Sequence, residues 1–185
     1  AFFRLSLTSG EPVASFGNNG RIDVRENLRG AAEDNAIYLT SPVMVYKDLL
    51  IVNGRLAEHN PASPGDVRAF DARSGKLAWT FHTIPRPGEK FHETWEDDGW
   101  TQRSGTNVWN MLTVDAKRGI AYLPIGAPTF DRYGGDHKGQ NLFSDSLVAV
   151  NAATGKYLWH FQVTHHDIWD YDLDTPPVLL EVEKD

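Results

Sequence analysis

The sequence predicts an all-β fold, and three observations carry that prediction. Most apolar residues stand in short runs or alternations of strand length, and helical periodicity is scarce. Turn-forming residues separate the runs, and in three turns a glycine follows an Asp or Asn by four residues. One stretch of eleven residues occurs twice. The strand-like runs are 42–46, 49–52, 67–70, 119–124, 146–150 and 157–161.

The repeated stretch groups these strands into units. Ala69-Phe-Asp-Ala-Arg-Ser-Gly-Lys-Leu-Ala-Trp79 returns as Ala149-Val-Asn-Ala-Ala-Thr-Gly-Lys-Tyr-Leu-Trp159, with five of eleven positions identical. Each copy forms a hairpin and follows an earlier one, 43–52 for the first and 112–125 for the second. Four antiparallel strands in two hairpins are the blade of a β-propeller. A β-sandwich with coincidental turns is the alternative.

The units predict how the chain is organised. We expect the end of one blade and a linker at 1–35, a blade with a long loop at 36–106, a second blade at 107–170, and the start of another at 171–185. The loops 82–106 and 127–145 make the repeat longer than a compact blade, and long loops on a rigid scaffold often carry function. Propellers close with four or more blades. Two complete blades plus partial flanking blades therefore predict a segment of a longer protein.

Composition excludes several classes of function. The 185 residues carry 25 acidic and 18 basic side chains, a net charge of −7, and no Lys/Arg cluster, so we expect no nucleic-acid partner. No apolar run approaches the roughly 20 residues of a membrane span. The absence of cysteine removes disulfides and thiolate chemistry from the segment.

Several motifs resemble one family. The repeated pattern Ala-x-Asp-x-x-Thr/Ser-Gly-Lys-x-x-Trp resembles the tryptophan-docking motif of quinoprotein dehydrogenases, eight-bladed propellers that bind pyrroloquinoline quinone (PQQ). Thr164-His-His-Asp-Ile-Trp-Asp-Tyr-Asp-Leu173 is similar to the signature of the quinoprotein glucose dehydrogenase branch, and Asn107-Val-Trp-Asn110 also matches that branch. The resemblance implies that Trp79 and Trp159 interlock neighbouring blades.

The resemblance also implies the roles of two central residues. Asp170 occupies the position of the catalytic base, which removes the proton of a substrate hydroxyl while a hydride passes to the quinone. Trp109 matches the tryptophan on which the flat cofactor lies. The plainer alternatives are an Asp that caps a turn after Trp169 and a tryptophan that belongs to the core.

Two further residues match contacts to the polar edge of the quinone. Thr40 would supply a hydroxyl hydrogen bond, and Arg55, fifteen residues later, would pair with a cofactor carboxylate. Arg55 departs from the small polar residue usual in the alcohol-oxidising relatives. A threonine at a strand start and a solvated surface arginine are the alternatives.

A divalent cation accompanies the cofactor in the family, and its ligands are hard oxygen atoms, which suit Ca²⁺ or Mg²⁺. Glu58 matches the acidic metal ligand. Alcohol dehydrogenases of the group have an asparagine at the position of Ala127, which cannot coordinate. Thr129 matches the glucose dehydrogenase pattern and would replace that ligand.

His165 and His166 invite a transition-metal interpretation. Adjacent residues on a strand point to opposite faces, so we expect no shared ion there. One histidine is instead expected to orient Asp170 or its loop. Asp131 or Asp145 as a loop cap is the plainer alternative for that neighbourhood.

The resemblance implies an enzyme that oxidises a glucose-like sugar or an alcohol and passes electrons to a membrane quinone or a cytochrome. It also implies a periplasmic location, possible membrane association through regions outside the segment, and a need for the remaining propeller blades, so the segment alone is expected to be inactive. The alternative is a non-catalytic β-propeller scaffold for protein–protein binding. Such a scaffold has no reason to keep Glu58 or the pair Trp169 and Asp170.

Overall fold

The computed structural model describes residues 1–30, 36–173 and 175–183. Its regular structure in these ranges is β-strand, apart from short 3₁₀ helices at His92–Thr94 and Gly99–Thr101. None of the helices described there has the length and apolar character that a membrane span requires. The predicted all-β class is confirmed, whereas the predicted boundary after residue 35 lies outside the described residues.

Fourteen strands are found in the described ranges. In chain order they are β1 (Phe2–Phe3), β2 (Arg21–Ile22), β3 (Ile37–Tyr38), β4 (Met44–Tyr46), β5 (Leu49–Val52), β6 (Arg55–Leu56), β7 (Val67–Asp71), β8 (Leu77–Phe81), β9 (Ser104–Gly105), β10 (Thr113–Asp115), β11 (Ile120–Ile125), β12 (Pro128–Thr129), β13 (Ser146–Asn151) and β14 (Tyr157–Gln162).

Two four-stranded antiparallel sheets form the body of the segment. Blade A has the order β4-β5-β7-β8, and blade B has the order β10-β11-β13-β14. The last hairpin of each blade is one copy of the repeated stretch, and both copies build the same turn. The Asp71 carboxylate accepts the Ser74 N–H (2.7 Å), and the Asn151 side chain accepts the Thr154 N–H (3.1 Å). The following glycine, Gly75 or Gly155, adopts a positive φ in each turn.

The blades pack face to face around a shared apolar core. The core joins Ile51 and Val67 of blade A to Leu123 and Val148 of blade B, all fully buried. Trp79 on β8 reaches across the interface between the two blades. Its indole Nε1 donates to the Ala152 carbonyl (3.3 Å) in the outer turn of blade B.

Gly155 gives Trp79 the space it occupies. A Cβ atom at Gly155 would lie 2.6 Å from the indole ring, which is too close for a side chain to be present there. A glycine in the turn of one blade therefore receives the tryptophan of the blade before it.

The long connections add three two-stranded sheets: β1 with β2, β3 with β6, and β9 with β12. The two long loops are tied together by backbone hydrogen bonds, such as Glu96 N–H to the Lys138 carbonyl (2.9 Å). Buried Arg103 donates to the Thr129 carbonyl and forms an ion pair with Asp136. The loops thereby hold β12 beside β9.

The expectation that His165 and His166 lie on a strand is wrong, because β14 ends at Gln162 and both histidines follow it in a loop. His166 Nδ1 lies 3.1 Å from Asn141 Oδ1. This hydrogen bond joins the loop after β14 to the loop before β13.

Candidate active site

One cavity, of about 490 Å³, lies where the connections of the two blades converge. Its lining is mostly polar and comes from four stretches of chain that are far apart in sequence. The lining residues are Arg55, Leu56, Glu58, Gly105, Asn107, Trp109, Ala127, Pro128, Thr129, Asp131, Arg132, Asp170 and Asp172. Five of the six predicted site residues are therefore brought together, and Thr40 is the one outside the lining.

Trp109 forms a half-buried wall of the cavity between β9 and β10. Its indole Nε1 donates to Asp172 Oδ2 (2.7 Å). An indole that presents one face to a cavity and is anchored at its edge is suited to stack against a flat aromatic ligand.

Thr40 acts on the backbone beneath that indole rather than on the cavity. Its hydroxyl donates to the Trp109 carbonyl, and the neighbouring Ser41 hydroxyl donates to the Asn110 carbonyl (3.1 Å). Buried Asn53 also donates to the Val108 carbonyl (2.8 Å). The backbone on both sides of Trp109 is therefore held by side chains of blade A.

Asp170 reaches the cavity from the loop after β14, with its side chain 37% exposed and its backbone in the left-handed region (φ 65°). Partial burial and the nearby Asp131 and Asp172 carboxylates raise the pKa of Asp170, while Arg132, 3.6 Å away, opposes that rise. A carboxylate with a raised pKa and solvent access is suited to accept a proton.

Asp167 builds the turn that presents Asp170. This carboxylate is fully buried and accepts two backbone N–H groups, from Trp169 (2.9 Å) and Tyr171 (2.7 Å). The turn-capping role considered for Asp170 thus belongs to Asp167, three residues earlier.

Asp172 also lines the cavity, and sequence reasoning assigned it no role. Its two carboxyl oxygens accept N–H groups from Trp109 and Ala127, and burial together with nearby carboxylates raises its pKa. The motif Trp-Asp-Tyr-Asp contained the only available signal, a second carboxylate two residues after Asp170.

Arg55 and Glu58, which also line the cavity, form an ion pair with each other. Arg55 Nε and Nη2 both donate to Glu58 Oε1 (2.9 and 2.6 Å), and the guanidinium lies 5.9 Å from the Tyr38 ring centre. The pair is largely exposed, so an ion or an anionic ligand in the cavity competes with it at little cost.

The donor set fits a PQQ–divalent cation pair. Glu58 and Asp131 supply carboxylate oxygens and buried Thr129 supplies a hydroxyl, which are ligand types of Ca²⁺ and Mg²⁺. Among the described residues no three His, Cys, Asp or Glu side chains form a metal-binding group by themselves.

Asp145 does not belong to the cavity lining, and its side chain does not cap a loop. It is fully buried, and neither carboxyl oxygen has a hydrogen-bond partner among the described residues. The hydroxyl of the neighbouring Ser144 donates to the Asn141 carbonyl instead (2.7 Å). Burial, reinforced by Asp167 and Asp172, raises the pKa of Asp145 to about 8.

The fold and the site together define a β-propeller segment whose loops enclose an acidic pocket with a tryptophan wall. Residues 2–185 match the family model described as the PQQ glucose/ethanol/alcohol dehydrogenase β-propeller domain. The chain therefore belongs to that family, and the predicted propeller architecture is confirmed.

Individual relatives agree with this assignment. The chain is 33% identical to quinoprotein glucose dehydrogenase A of Acinetobacter calcoaceticus over 97% of its length, and 41% identical to the dehydrogenase subunit of the quinone alcohol dehydrogenase of Gluconobacter oxydans over 58%. The solved quinohemoprotein alcohol dehydrogenase of Comamonas testosteroni superposes with a TM-score of 0.68 at 28% identity, covering 82% of this chain and 23% of that structure.

The chain spans only part of these proteins. It covers 22% of the glucose dehydrogenase and 16% of the alcohol dehydrogenase subunit.

Proposed function

We propose that the chain supplies one wall of the PQQ site in a dehydrogenase that oxidises a hydroxyl group of a sugar or an alcohol, with Asp170 as the base. The observation that carries the proposal is the convergence of Trp109, Asp170, Arg55, Glu58 and Thr129 on one cavity. Nothing in a protein-binding scaffold requires these side chains to meet, so the cavity favours the enzyme over that alternative.

Each residue has a task that follows from its placement. Trp109 offers a flat face against which an aromatic cofactor stacks, and Arg55 offers a planar fork to a carboxylate. Glu58 and Thr129 would hold Ca²⁺ or Mg²⁺, which polarises a carbonyl oxygen as a Lewis acid. Bound PQQ is the two-electron acceptor of the reaction.

Asp170 performs the proton chemistry. It would take the hydroxyl proton of the substrate while the adjacent carbon gives up a hydride to the bound acceptor, so that the alcohol would become a carbonyl compound. Its raised pKa strengthens it as a base, and its exposed edge gives the proton a route to solvent.

A glucose-like sugar is the proposed substrate, because the similarity to glucose dehydrogenase A covers nearly the whole chain. The proposed electron acceptor is a membrane quinone or a cytochrome, and the proposed compartment is the periplasm. The remaining blades would supply the rest of the pocket.

Reconstitution of the complete protein that contains this chain tests the proposal. The apoprotein is loaded with PQQ and Ca²⁺ or Mg²⁺, passed through gel filtration, and assayed for dye reduction with glucose and with ethanol. We expect retained cofactor absorbance and faster dye reduction with glucose. Loss of the cofactor on the column together with no activity on any sugar or alcohol would overturn the proposal.

Asp170→Asn separates the chemistry from cofactor binding in the same assay. This variant should keep the cofactor but lose turnover by about 100-fold or more, the usual contribution of a general base. Asp48→Asn, at an exposed hairpin end outside the cavity lining, is the matched control and should turn over normally. Near-normal turnover of Asp170→Asn would remove Asp170 from its role.

A further inference from the structure

We propose that Asp172 is a positioning residue, which fixes the indole of Trp109 and the backbone at Ala127 so that the cofactor face is formed before the cofactor arrives. The inference rests on the proposed function, since it concerns the residue against which PQQ would stack. Asp172 acts through its two neighbours and takes no part in proton transfer.

The contacts of Asp172 are specific to its two oxygens. Oδ2 accepts the indole N–H of Trp109 at 2.7 Å, and Oδ1 accepts the backbone N–H of Ala127 at 2.5 Å. Both bonds are charge-assisted when Asp172 is ionised, which makes them stronger than bonds between neutral groups.

Gly126, next to Ala127, lies directly against the Asp172 carboxylate. A Cβ atom at Gly126 would lie 2.2 Å from Asp172 Oδ1, so any other residue there would require the carboxylate to move. Close approach of backbone to a side chain is a common reason for a glycine. The Gly126 position and the two hydrogen bonds are separate observations that indicate the same clamp.

The clamp connects three parts of the cavity. Trp109 follows β9, Ala127 precedes β12, and Asp172 lies in the loop that carries Asp170. β12 contains Thr129, one of the proposed cation ligands. Asp172 therefore fixes the position of the indole ring relative to the proposed base and to the strand that contains Thr129.

Asp172→Asn in the complete protein is the first test. An amide has one oxygen, so its NH₂ group must face one of the two N–H donors and one bond is lost. We expect PQQ to bind about 10- to 100-fold more weakly, the range for losing a hydrogen bond to a charged group. Cofactor affinity that matches the wild type would contradict the clamp.

Trp109 also reports its own mobility without any cofactor. In apoprotein labelled with 5-fluorotryptophan, the ¹⁹F resonance missing from Trp109→Phe identifies Trp109. Asp172→Asn should shift or broaden this resonance while thermal unfolding stays cooperative. An unchanged resonance would overturn the inference, and this readout stands even if the complete protein proves not to bind PQQ, which would be the failure of the proposed function.

A double-mutant cycle separates the indole contact from a general effect of charge. Phenylalanine keeps an aromatic face but has no N–H, so Asp172→Asn should weaken PQQ binding far less in the Trp109→Phe background than in the wild type. Asp131→Asn removes a carboxylate from the same cavity and should leave the Trp109 resonance in place. Additive losses in the cycle, or an equal spectral change in Asp131→Asn, would overturn the clamp.

Discussion

Asp170 and Asp172 are two residues apart, yet their environments give them different tasks. Asp170 keeps an exposed edge and lies 3.6 Å from Arg132 in an ion pair, whereas Asp172 is held by two short hydrogen bonds. Carboxylates in one site commonly divide work in this way, because hydrogen bonds hold one of them while solvent access frees the other to exchange a proton.

Asp145 makes the stability of the folded protein depend on pH. Its pKa rises from the usual 3.8 to about 8 because the buried carboxyl group disfavours charge. A folded-state pKa above the unfolded value means that its stabilising contribution is complete below about pH 4 and is lost as the pH rises towards 8. We therefore predict that Asp145→Asn raises the midpoint of thermal unfolding at pH 8 and has little effect at pH 4.

Thermal unfolding of the complete protein at both pH values provides the measurement for Asp145→Asn. Asp97→Asn, which changes a largely exposed carboxylate in the same way, is the control and should be neutral at both values. An equal gain at pH 4 and pH 8 for the Asp145 variant would show that the benefit is not electrostatic.

Sequence reasoning selected Trp109 and Asp170 because both lie in motifs that resemble those of quinoprotein dehydrogenases, and the same resemblance selected Glu58. Asp172 escaped it because its partners lie 63 and 45 residues away, and only the folded chain shows which donors its oxygens meet. The predicted contact of Thr40 with the cofactor stays a prediction, whereas its hydrogen bond to the Trp109 carbonyl is a result of packing that sequence distance does not reveal.

At the scale of elements, the repeated hairpin connects the blades. Trp79 is 8% exposed and fills the space above Gly155, whereas Trp159, at the same position in the second copy, is 43% exposed. We predict that Trp79→Ala lowers the free energy of unfolding of the 185-residue chain by about 3–5 kcal/mol, the range for truncating a buried aromatic residue.

Urea unfolding of the 185-residue chain measures how much Trp79 and Trp159 each add to the free energy of unfolding. Trp159→Ala is the matched control at low protein concentration, because no neighbouring blade among the described residues packs against Trp159, and its loss should be well below that of Trp79→Ala. Similar losses in the two variants would mean that the contact between the blades adds little.

The two blades were predictable because a repeat of eleven residues and its turns mark them in the sequence. The two-residue strands β6, β9 and β12, which line the cavity, were not predictable. Such short strands carry no periodic pattern, and their pairing is fixed by distant contacts such as that between Arg103 and the Thr129 carbonyl.

At the scale of the whole molecule, the two blades differ in how their equivalent faces are covered. Blade B covers one face of blade A, whereas the equivalent face of blade B is exposed. Phe81 is 6% exposed beneath blade B, whereas Phe161, at the matching position of the repeat, is 66% exposed beside Trp159. The described residues place no blade over that face. In an assembled propeller we expect a third blade to cover Trp159 as blade B covers Trp79.

The uncovered face predicts how the 185-residue chain behaves in isolation. An exposed apolar face beside the outer strand β14 favours association, so we predict concentration-dependent self-association in sedimentation velocity. Phe161→Ser should shift the chain towards monomer because it removes the most exposed aromatic group of the face. Leu7→Ser, which removes a fully exposed apolar side chain elsewhere, should not. A chain that stays monomeric at every concentration, or equal responses of the two variants, would show that the face of β14 is not the surface that association uses.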